Sequence, residues 1–410
     1  MPAEGSEPVR IGLLGRGTVG AAFAELLAER AEAVEAATGR RPEIAGVLTR
    51  GEGDFDSILA DADLVVELMG GTDPAREYVL AALRTGKPVV TANKQLLAQH
   101  GDELFAVARE AGVQLRFEAA VAAVIPIVRT IQESFGVTEI SKVFGIVNGT
   151  TNFILTEMAA SGAGYDEVLA QAQELGYAEA DPTDDVSGAD AAAKMAILSR
   201  LAFHTPVTLD EVTYEGVEGI LPDDLAYAKE LGLSLKLLGV AERREDGISV
   251  RVFPCFLYRG HPLAPIEGPF NAVMVEAPAI TEVTMSGPGA GGLQTASAVL
   301  GDVVSILAGE APVHETRVEL PIVADVTSSF YLYLEVADQP GVLARVATVL
   351  GDHGISVKSV VQRGIGDEAR LVMVIHECLE SKFAAAVEAL ADLDDLRAPP
   401  RSIRVIEEEY

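Results

Sequence analysis

The chain has 410 residues, 49% of them hydrophobic, which is enough for two or three domains with cores of their own. Its formal net charge of −31, with lysine and arginine scattered, excludes nucleic acid and anionic membrane surfaces as partners, because phosphates would be repelled. Two cysteines, Cys255 and Cys378, exclude a disulfide framework or thiolate metal centre; no apolar run reaches membrane-span length, and Met1 to Pro8 carry no signal-peptide apolar region, so a soluble, cytoplasmic protein is expected.

Residues 9–14 read as a buried strand leading into Gly15-Arg-Gly17-Thr-Val-Gly20, followed by an Ala-rich amphipathic helix over 21–37. Strand, G-x-G-x-x-G and helix together are the context a dinucleotide fingerprint requires. Gly15 permits the tight turn, Gly17 lets backbone approach a pyrophosphate, Gly20 allows the helix to pack closely on the strand, and the helix amino terminus receives phosphates. The second strand, 44–48, ends in Thr49-Arg50 with no acid at its tip. An NAD-selective site usually places Asp or Glu there, whereas an arginine suits a 2′-phosphate, so Arg50 tilts the choice to NADP; the alternative is an ordinary solvated loop arginine.

Alternation continues with a strand over 63–69 ending in Gly70-Gly71-Thr72, a helix over 74–85 and a strand over 88–91. Thr91-Ala-Asn-Lys94 stands at the carboxyl end of that last strand, where open α/β sheets bind ligands. Lys94 is either a helix-start residue or one that faces the cofactor. A helix over 104–111, a strand over 113–117 ending at Glu118, and an apolar run over 119–128 with Pro126 complete the first pattern.

A different rhythm follows: a strand over 143–147, the polar turn Asn148-Gly-Thr-Thr-Asn152 and a helix over 153–160. Then five carboxylates, Glu179, Asp181, Asp184, Asp185 and Asp190, fall within twelve residues, and Lys194 closes the set. Pro182 makes the first part a loop, and a helix is expected to start near Ser187, capped by its hydroxyl with Asp190 three positions on. Asp190 and Lys194 share one helix face. They are either a surface ion pair contributing about 0.3–0.5 kcal/mol or part of a pocket for a polar, amine-bearing ligand, as acids beside a lysine in an apolar helix suggest. Strands near 249–256 and 272–275 precede Gly287-Pro-Gly289-Ala-Gly291-Gly292 and a helix over 295–308, a second loop-to-helix entrance able to approach phosphate or ribose. Beyond an extended linker, 320–325, the order strand 331–336, helix 342–353, strands 355–361 and 371–375, helix 381–390 and strand 402–406 is βαββαβ, ferredoxin-like, with an acidic tail at Glu407–Glu409.

On these motifs the chain resembles homoserine dehydrogenase over nearly its whole length. The matches are Gly15-x-Gly-x-x-Gly20, Thr91-Ala-Asn-Lys94, Gly145 to Leu155, Gly176-Tyr-Ala-Glu-Ala-Asp-Pro182 with Asp184-Asp185, Asp190-x-x-x-Lys194 and Gly287 to Gly292. Glu335 to Leu343 resembles an ACT domain, the regulatory module of amino-acid enzymes. The resemblance implies an α/β fold in three parts: a Rossmann-type nucleotide-binding domain (1–125, with 287–310 packing back on it), an α+β catalytic and dimerisation domain (126–320), and a ferredoxin-like ACT domain (328–410). It implies a monofunctional enzyme of threonine and methionine biosynthesis that interconverts L-homoserine and L-aspartate 4-semialdehyde with NADP or NAD. Feedback by threonine and a homodimer or homotetramer are implied with it.

Carried over residue by residue, Lys194 is the proton donor and Lys94 lies beside nicotinamide and substrate. Glu179 and Asp190 hold homoserine, with Gly149 and Thr150 at the junction of substrate and cofactor. Asp184 and Asp185 are read as orienting or loop-capping carboxylates, Asp185 being counted also with the substrate residues. Gly15, Gly17, Thr18, Val19, Gly20, Arg50, Gly71, Thr91, Lys94 and Gly291 are the cofactor residues. The family also binds a monovalent cation, typically sodium, here on Glu118 and the carbonyls of Val121, Ala123 and Ile125. Ala123 and Val124 depart from glycines common in the family, so glycine-only dihedrals are expected to be lost. The chemistry fits the residues: hydride addition to an aldehyde leaves an alkoxide that needs a proton or nearby positive charge, and the substrate ammonium pairs the surplus carboxylates. A non-catalytic amino-acid sensor would need a broken site, yet both lysines and both substrate carboxylates are present; a dehydrogenase of another small amino-acid aldehyde is the remaining alternative.

Overall fold

The computed structural model describes residues 7–310, 317–364, 366 and 369–406, so Met1 to Ser6 and the acidic tail Glu407–Glu409 lie outside it. The first unit alternates strand and helix: β1 (Val9–Leu14), α1 (Thr18–Thr38), β2 (Pro42–Leu48), α2 (Phe55–Asp61), β3 (Leu64–Glu67), α3 (Ala75–Arg84), β4 (Val89–Thr91), α4 (Lys94–Ala111) and β5 (Leu115–Arg116). All strand pairs are parallel, in the order β2-β1-β3-β4-β5. Leu64-Val-Val-Glu67 and Val89-Val-Thr91 are buried throughout, as strands covered by helices on both faces must be. The winding direction switches between β1 and β3, so the ligand crevice opens above Leu14 and Glu67. The strands expected over 63–69 and 113–117 are shorter than their apolar runs, because pairing stops where the glycine turn and the β4 partner end.

The second unit begins with α5 (Ile127–Arg129), β6 (Lys142–Ile146), α6 (Gly149–Ser161), α7 (Tyr165–Glu174), α8 (Thr183–Val186) and α9 (Ala189–Phe203). It continues through β7 (Thr213–Tyr214), α10 (Pro222–Glu230), β8 (Leu233–Arg244), β9 (Gly247–Tyr258), β10 (Phe270–Ala277), β11 (Thr281–Pro288) and α11 (Gly292–Leu307). Buried α9 lies unusually close to the sheet. Gly145 on β6 and Gly239 on β8 face each other in register, and Met195 sits on both; a Cβ at Gly239 would fall 2.4 Å from Met195 Cγ. This close seat fixes the height of Asp190 and Lys194, and emptying it (Met195→Ala) would cost roughly 2–5 kcal/mol. Helix α11 returns to the first unit, where Val299 and Val303 share a core with Phe23, Leu27, Ile11 and Leu13.

The expected Ser187 cap does not form. Ser187 instead closes the single turn α8, and α9 starts after Gly188, which has φ +89° and no side-chain cap. A Cβ at Gly188 would approach Glu215 O at 3.1 Å, so the tight α8–α9 corner depends on glycine, and Asp190 is free to point elsewhere than back to the helix start.

The third unit is β12 (Thr327–Glu335), α12 (Val342–Asp352), β13 (Val357–Arg363), β14 (Arg370–Leu379), α13 (Glu380–Ala391) and β15 (Arg401–Ile406), the βαββαβ order read from the sequence. Phe330, Leu332 and Leu334 face its own helices, whereas Tyr331 and Tyr333 point into the main core, with Tyr333 against Tyr227 of α10. β15 pairs parallel with β9, joining this unit to the second in one ten-stranded sheet. The 320–325 linker is tied down as well: Ile248 N donates to Pro321 O (2.9 Å) and Val323 N to Ile248 O (2.8 Å). Among the described residues no helix is long and apolar enough to cross a membrane.

Candidate active site

Asp190 is the centre of the site. One oxygen, Oδ1, is paired with Lys94 Nζ, which reaches it from the start of α4; the other, Oδ2, accepts from Lys194 Nζ at 2.7 Å and from Asn148 Nδ2 at 2.9 Å. Lys194 Nζ also donates to Val147 O (2.7 Å), at the end of β6. The carboxyl end of the first sheet, the end of β6 and the start of α9 thus meet on one buried carboxylate. Burial pushes Asp190 up, but the Lys194 and Lys94 ammonium groups outweigh it and hold the carboxyl well below its usual range. Burial likewise pushes Lys94 down, and Asp190 more than reverses this. The pair is therefore no surface decoration: the Asp190 side chain is 4% exposed and that of Lys194 12%.

Asp185 stands beside this centre, its Oδ1 accepting from Asn148 Nδ2 (2.7 Å) and its Oδ2 from Thr150 Oγ1 (3.2 Å). Burial and the neighbouring Asp190 charge raise its carboxyl. The single Thr150 hydrogen is shared with Tyr177 O at the shorter distance of 2.7 Å, fastening the loop that carries Glu179. Glu179 itself is exposed, with its backbone carbonyl accepting from Gln173 Nε2. Asp184 is exposed. Gly149 opens α6 where a Cβ would strike Pro269 O at 2.8 Å.

The glycine cradle divides by role. Gly15 (φ +97°) packs on the β3 carboxyl end, a Cβ falling 2.5 Å from Leu68 O, and a Cβ at Gly20 would fall 2.1 Å from Gly15 O. At Gly17 a Cβ meets nothing within 4 Å. Gly17 is thus open toward the crevice, at the first turn of α1, which has no side-chain cap; Thr18 and Val19 follow it. Free N–H groups at a helix start beside an open glycine fit a pyrophosphate. Gly291 (φ +129°) precedes α11, and Gly292 abuts Thr18, so two helix starts lie side by side. Gly71 O accepts from Asn93 Nδ2 (2.6 Å), and Thr91 Oγ1 donates to Glu67 Oε2 (2.6 Å) while accepting from Asn93 N (3.0 Å). Lys94 is a helix-start residue, and its side chain reaches Asp190. Arg50 is exposed at the tip of β2.

Glu118 is buried, its two oxygens accepting from Val128 N (2.8 Å) and Arg129 N (2.9 Å); burial raises its carboxyl to about 7. The turn beside it takes left-handed φ at Ala122 (55°) and Ala123 (50°), a region open to alanine at a cost, whereas Val124 does not. Among the described residues the carbonyls of Val121 and Ala123 accept no backbone N–H, whereas Ile125 O accepts from Ile127 N (2.7 Å). Carbonyl oxygens without a backbone donor, near a carboxylate, are the ligand type a monovalent cation takes; no cluster of three His, Cys, Asp or Glu among the described residues suits a transition metal.

Asn148, Glu67 and Asn93 are absent from the sequence reading as site residues. An Asn directly before Gly-Thr-Thr after a strand does signal a helix cap, but nothing local signals its long-range partners. Glu67, wholly buried at the switch point, had no signal beyond its place at a strand end.

Comparison with known proteins agrees with this geometry. The chain matches the descriptions "Homoserine dehydrogenase, NAD binding domain" over residues 15–118, "Homoserine dehydrogenase" over 126–304 and "ACT domain" over 330–395. It is 44% identical over 409 residues to a homoserine dehydrogenase of Corynebacterium glutamicum, covering 93% of this chain and 92% of that one. It is 41% identical over 437 residues to that of Mycobacterium bovis, covering 99% of each. The crystal structure of a homoserine dehydrogenase from Thiobacillus denitrificans superposes with a TM-score of 0.93 at 38% identity, covering 98% of this chain and 99% of that one. The S. aureus enzyme at pH 7.5 gives 0.79 at 30% identity, covering 98% and 100%. The chain belongs to the homoserine dehydrogenase family of NAD(P)-dependent oxidoreductases.

Proposed function

We propose that the Asp190–Lys194–Lys94 cluster carries the interconversion of L-homoserine and L-aspartate 4-semialdehyde, with Lys194 moving the proton of the hydroxyl and Lys94 holding positive charge beside the same oxygen. The observation that carries this is the convergence of both ammonium groups on one buried carboxylate at the mouth of the nucleotide fold. The hydride of the alcohol carbon would pass to and from a nicotinamide held by the first unit. Lys194 Nζ has three hydrogens, two of them given to Asp190 and Val147 O, which leaves one for the substrate oxygen. An ammonium there stabilises the developing alkoxide and protonates it. Asp190 has about four lone-pair sites and three donors on them, so it keeps one for homoserine while Glu179 and Asp185 supply further charge for the substrate ammonium. Gly149 and Thr150 line the junction with the cofactor.

Gly15, Gly17, Thr18, Val19, Gly20, Gly71, Thr91 and Gly291 would hold the dinucleotide, and exposed Arg50, with no acid at the tip of β2, favours NADP over NAD. Glu118 with the carbonyls of Val121, Ala123 and Ile125 would hold a monovalent cation, typically sodium. The functional division is 1–125 with 287–310, 126–320 and 328–410; the packing of α11 on α1 supports the first part. Threonine is the proposed effector of the ACT unit, in a cytoplasmic homodimer or homotetramer. A cavity of about 340 Å³ between Asp338–Leu343 and Gln362 is large enough for an amino acid.

The test is a steady-state assay of homoserine oxidation with NADP and NAD side by side, with and without threonine, on wild type and Lys194→Ala. The variant should keep its circular dichroism spectrum and lose turnover. Wild-type-like turnover would sink the role given to Lys194.

A further inference from the structure

We propose that Asn148 is a positioning residue for homoserine: its amide ties Asp185 to Asp190 and so shapes the pocket for the substrate ammonium. This rests on the assignment of those carboxylates to substrate binding made above.

Asn148 follows β6 and caps α6, but the cap uses only half of its side chain. Its Oδ1 accepts from Thr151 N (2.8 Å) and Thr151 Oγ1 (2.9 Å). Both Nδ2 hydrogens are left over, and they go to Asp185 Oδ1 (2.7 Å) and Asp190 Oδ2 (2.9 Å). With two donors facing one end of the amide and two carboxylates facing the other, its orientation is fixed by its partners. The residue is 4% exposed, so water does not substitute readily for any of the four bonds. A residue needed only as a cap could be Ser, Thr or Asp. Only Asn combines that cap with two hydrogens able to hold a pair of carboxylates that would otherwise repel. The preceding residue, Val147, takes Lys194 on its carbonyl, so one strand end aligns the acids and the lysine together.

Asp185 is the member of the pair that Asn148 should govern most. It faces Asp190 and Lys194 on α9, Lys94 on α4, Thr150 on α6 and Asp184 in its own turn. Burial and Asp190 raise its carboxyl, while the Asn148 hydrogen bond works against them. Losing that bond raises it further, so the carboxylate is lost at higher pH and the acid limb of kcat/KM for homoserine moves upward.

The experiment compares the full-length wild type with Asn148→Ser, which keeps a capping oxygen but lacks the reach, and Asn148→Asp, which keeps the shape but turns an oxygen toward both carboxylates. Melting temperature, KM for homoserine and for cofactor, the pH profile, and homoserine binding by calorimetry are measured together. For Asn148→Ser, which loses both bonds but leaves both carboxylates in place, the expected result is a roughly tenfold rise in homoserine KM and Kd. Cofactor KM should hold, and the acid limb should shift upward; Asn148→Asp should bind homoserine more weakly still. The proposal is overturned if Asn148→Ser lowers the melting temperature while homoserine KM and the acid limb stay as in wild type, since the residue is then only a cap. It is also overturned if both KM values rise together. If wild type neither binds nor oxidises homoserine, the assignment of the reaction fails and this inference fails with it.

Discussion

Replacing Asp190 by Asn tests the centre of the site by exchanging one oxygen for an NH2, with almost no change of shape. Three donors converge on Asp190: Lys94 on Oδ1, Lys194 (2.7 Å) and Asn148 (2.9 Å) on Oδ2. An asparagine offers one oxygen. Its NH2 cannot occupy the Oδ2 place, where it would face two donors, so it must take the Oδ1 place and turn Lys94 away. Lys94, whose side chain is 37% exposed, finds water, whereas Lys194 stays nearly buried on a weaker, neutral acceptor. One bond to a charged group is worth about 1.5–3 kcal/mol, and breaking a buried pair costs about 3–5 kcal/mol. Rehydration of Lys94 puts the expected destabilisation near the low end, about 3 kcal/mol. The sign of the pH dependence follows from the depressed carboxyl. Asp190 contributes its stability above the unfolded value of about 3.9 and loses it as pH falls toward its lower folded value. Urea unfolding should therefore show a gap between wild type and Asp190→Asn that is flat from about pH 8 to 5 and narrows only below about 4, by roughly 1.4 kcal/mol per pH unit. A gap below about 1 kcal/mol at pH 7, or one that already closes between pH 7 and 5, would refute the reasoning.

Gly17→Ala and Gly20→Ala should separate cofactor space from packing space. The first should melt like wild type yet raise cofactor KM about tenfold or more, because the new methyl enters only the crevice; normal cofactor binding would show that no pyrophosphate approaches there. The second should lose about 2–3 kcal/mol, because its methyl overlaps Gly15 O, and an unchanged melting curve would contradict the contact. Ala123→Gly should relieve a left-handed alanine and raise the unfolding free energy by about 0.5–1 kcal/mol; destabilisation would mean that the methyl packs better than the dihedral strains. Deleting residues from 326 onward should abolish threonine inhibition and keep turnover at low temperature, but lower the melting temperature, since Tyr331 and Tyr333 are wholly buried in the main core. Inhibition persisting in that truncation would count against the ACT unit as its seat.

What was legible in the sequence was whatever lies close along the chain. The strand–glycine–helix entrance, the Asp190–Lys194 spacing and the βαββαβ order are all local patterns, and each appears where its residues predict. Long-range pairings were not legible. β8, Leu-Ser-Leu-Lys-Leu-Leu, reads as readily as a helix, and only its twelve-residue register with β9 makes it a strand. β11 is an edge strand that ends inside the glycine run read as loop. The helix start at Ser187 slipped to Ala189 because the tertiary contact at Gly188, not the hydroxyl, decides the corner. Lys94 and Asp190, far apart in the chain, could be joined from the sequence only by resemblance. Asn148 was read only as part of a polar turn, whereas it caps a helix that starts at Gly149 and holds two carboxylates on its other end.

The seam between β9 and β15 has a consequence for biosynthesis. β9 begins to pair on its outer edge with the two residues of β7, and Cys255–Leu257 wait for Arg404–Ile406, the last strand among the described residues. Until then the chain carries an apolar strand edge beside Pro254, a residue that cannot donate to a new neighbour. Completion of the regulatory unit is also the step that closes the catalytic sheet. A chain without this unit would leave the same edge unpaired, so a shortened form needs another cover for Cys255–Leu257.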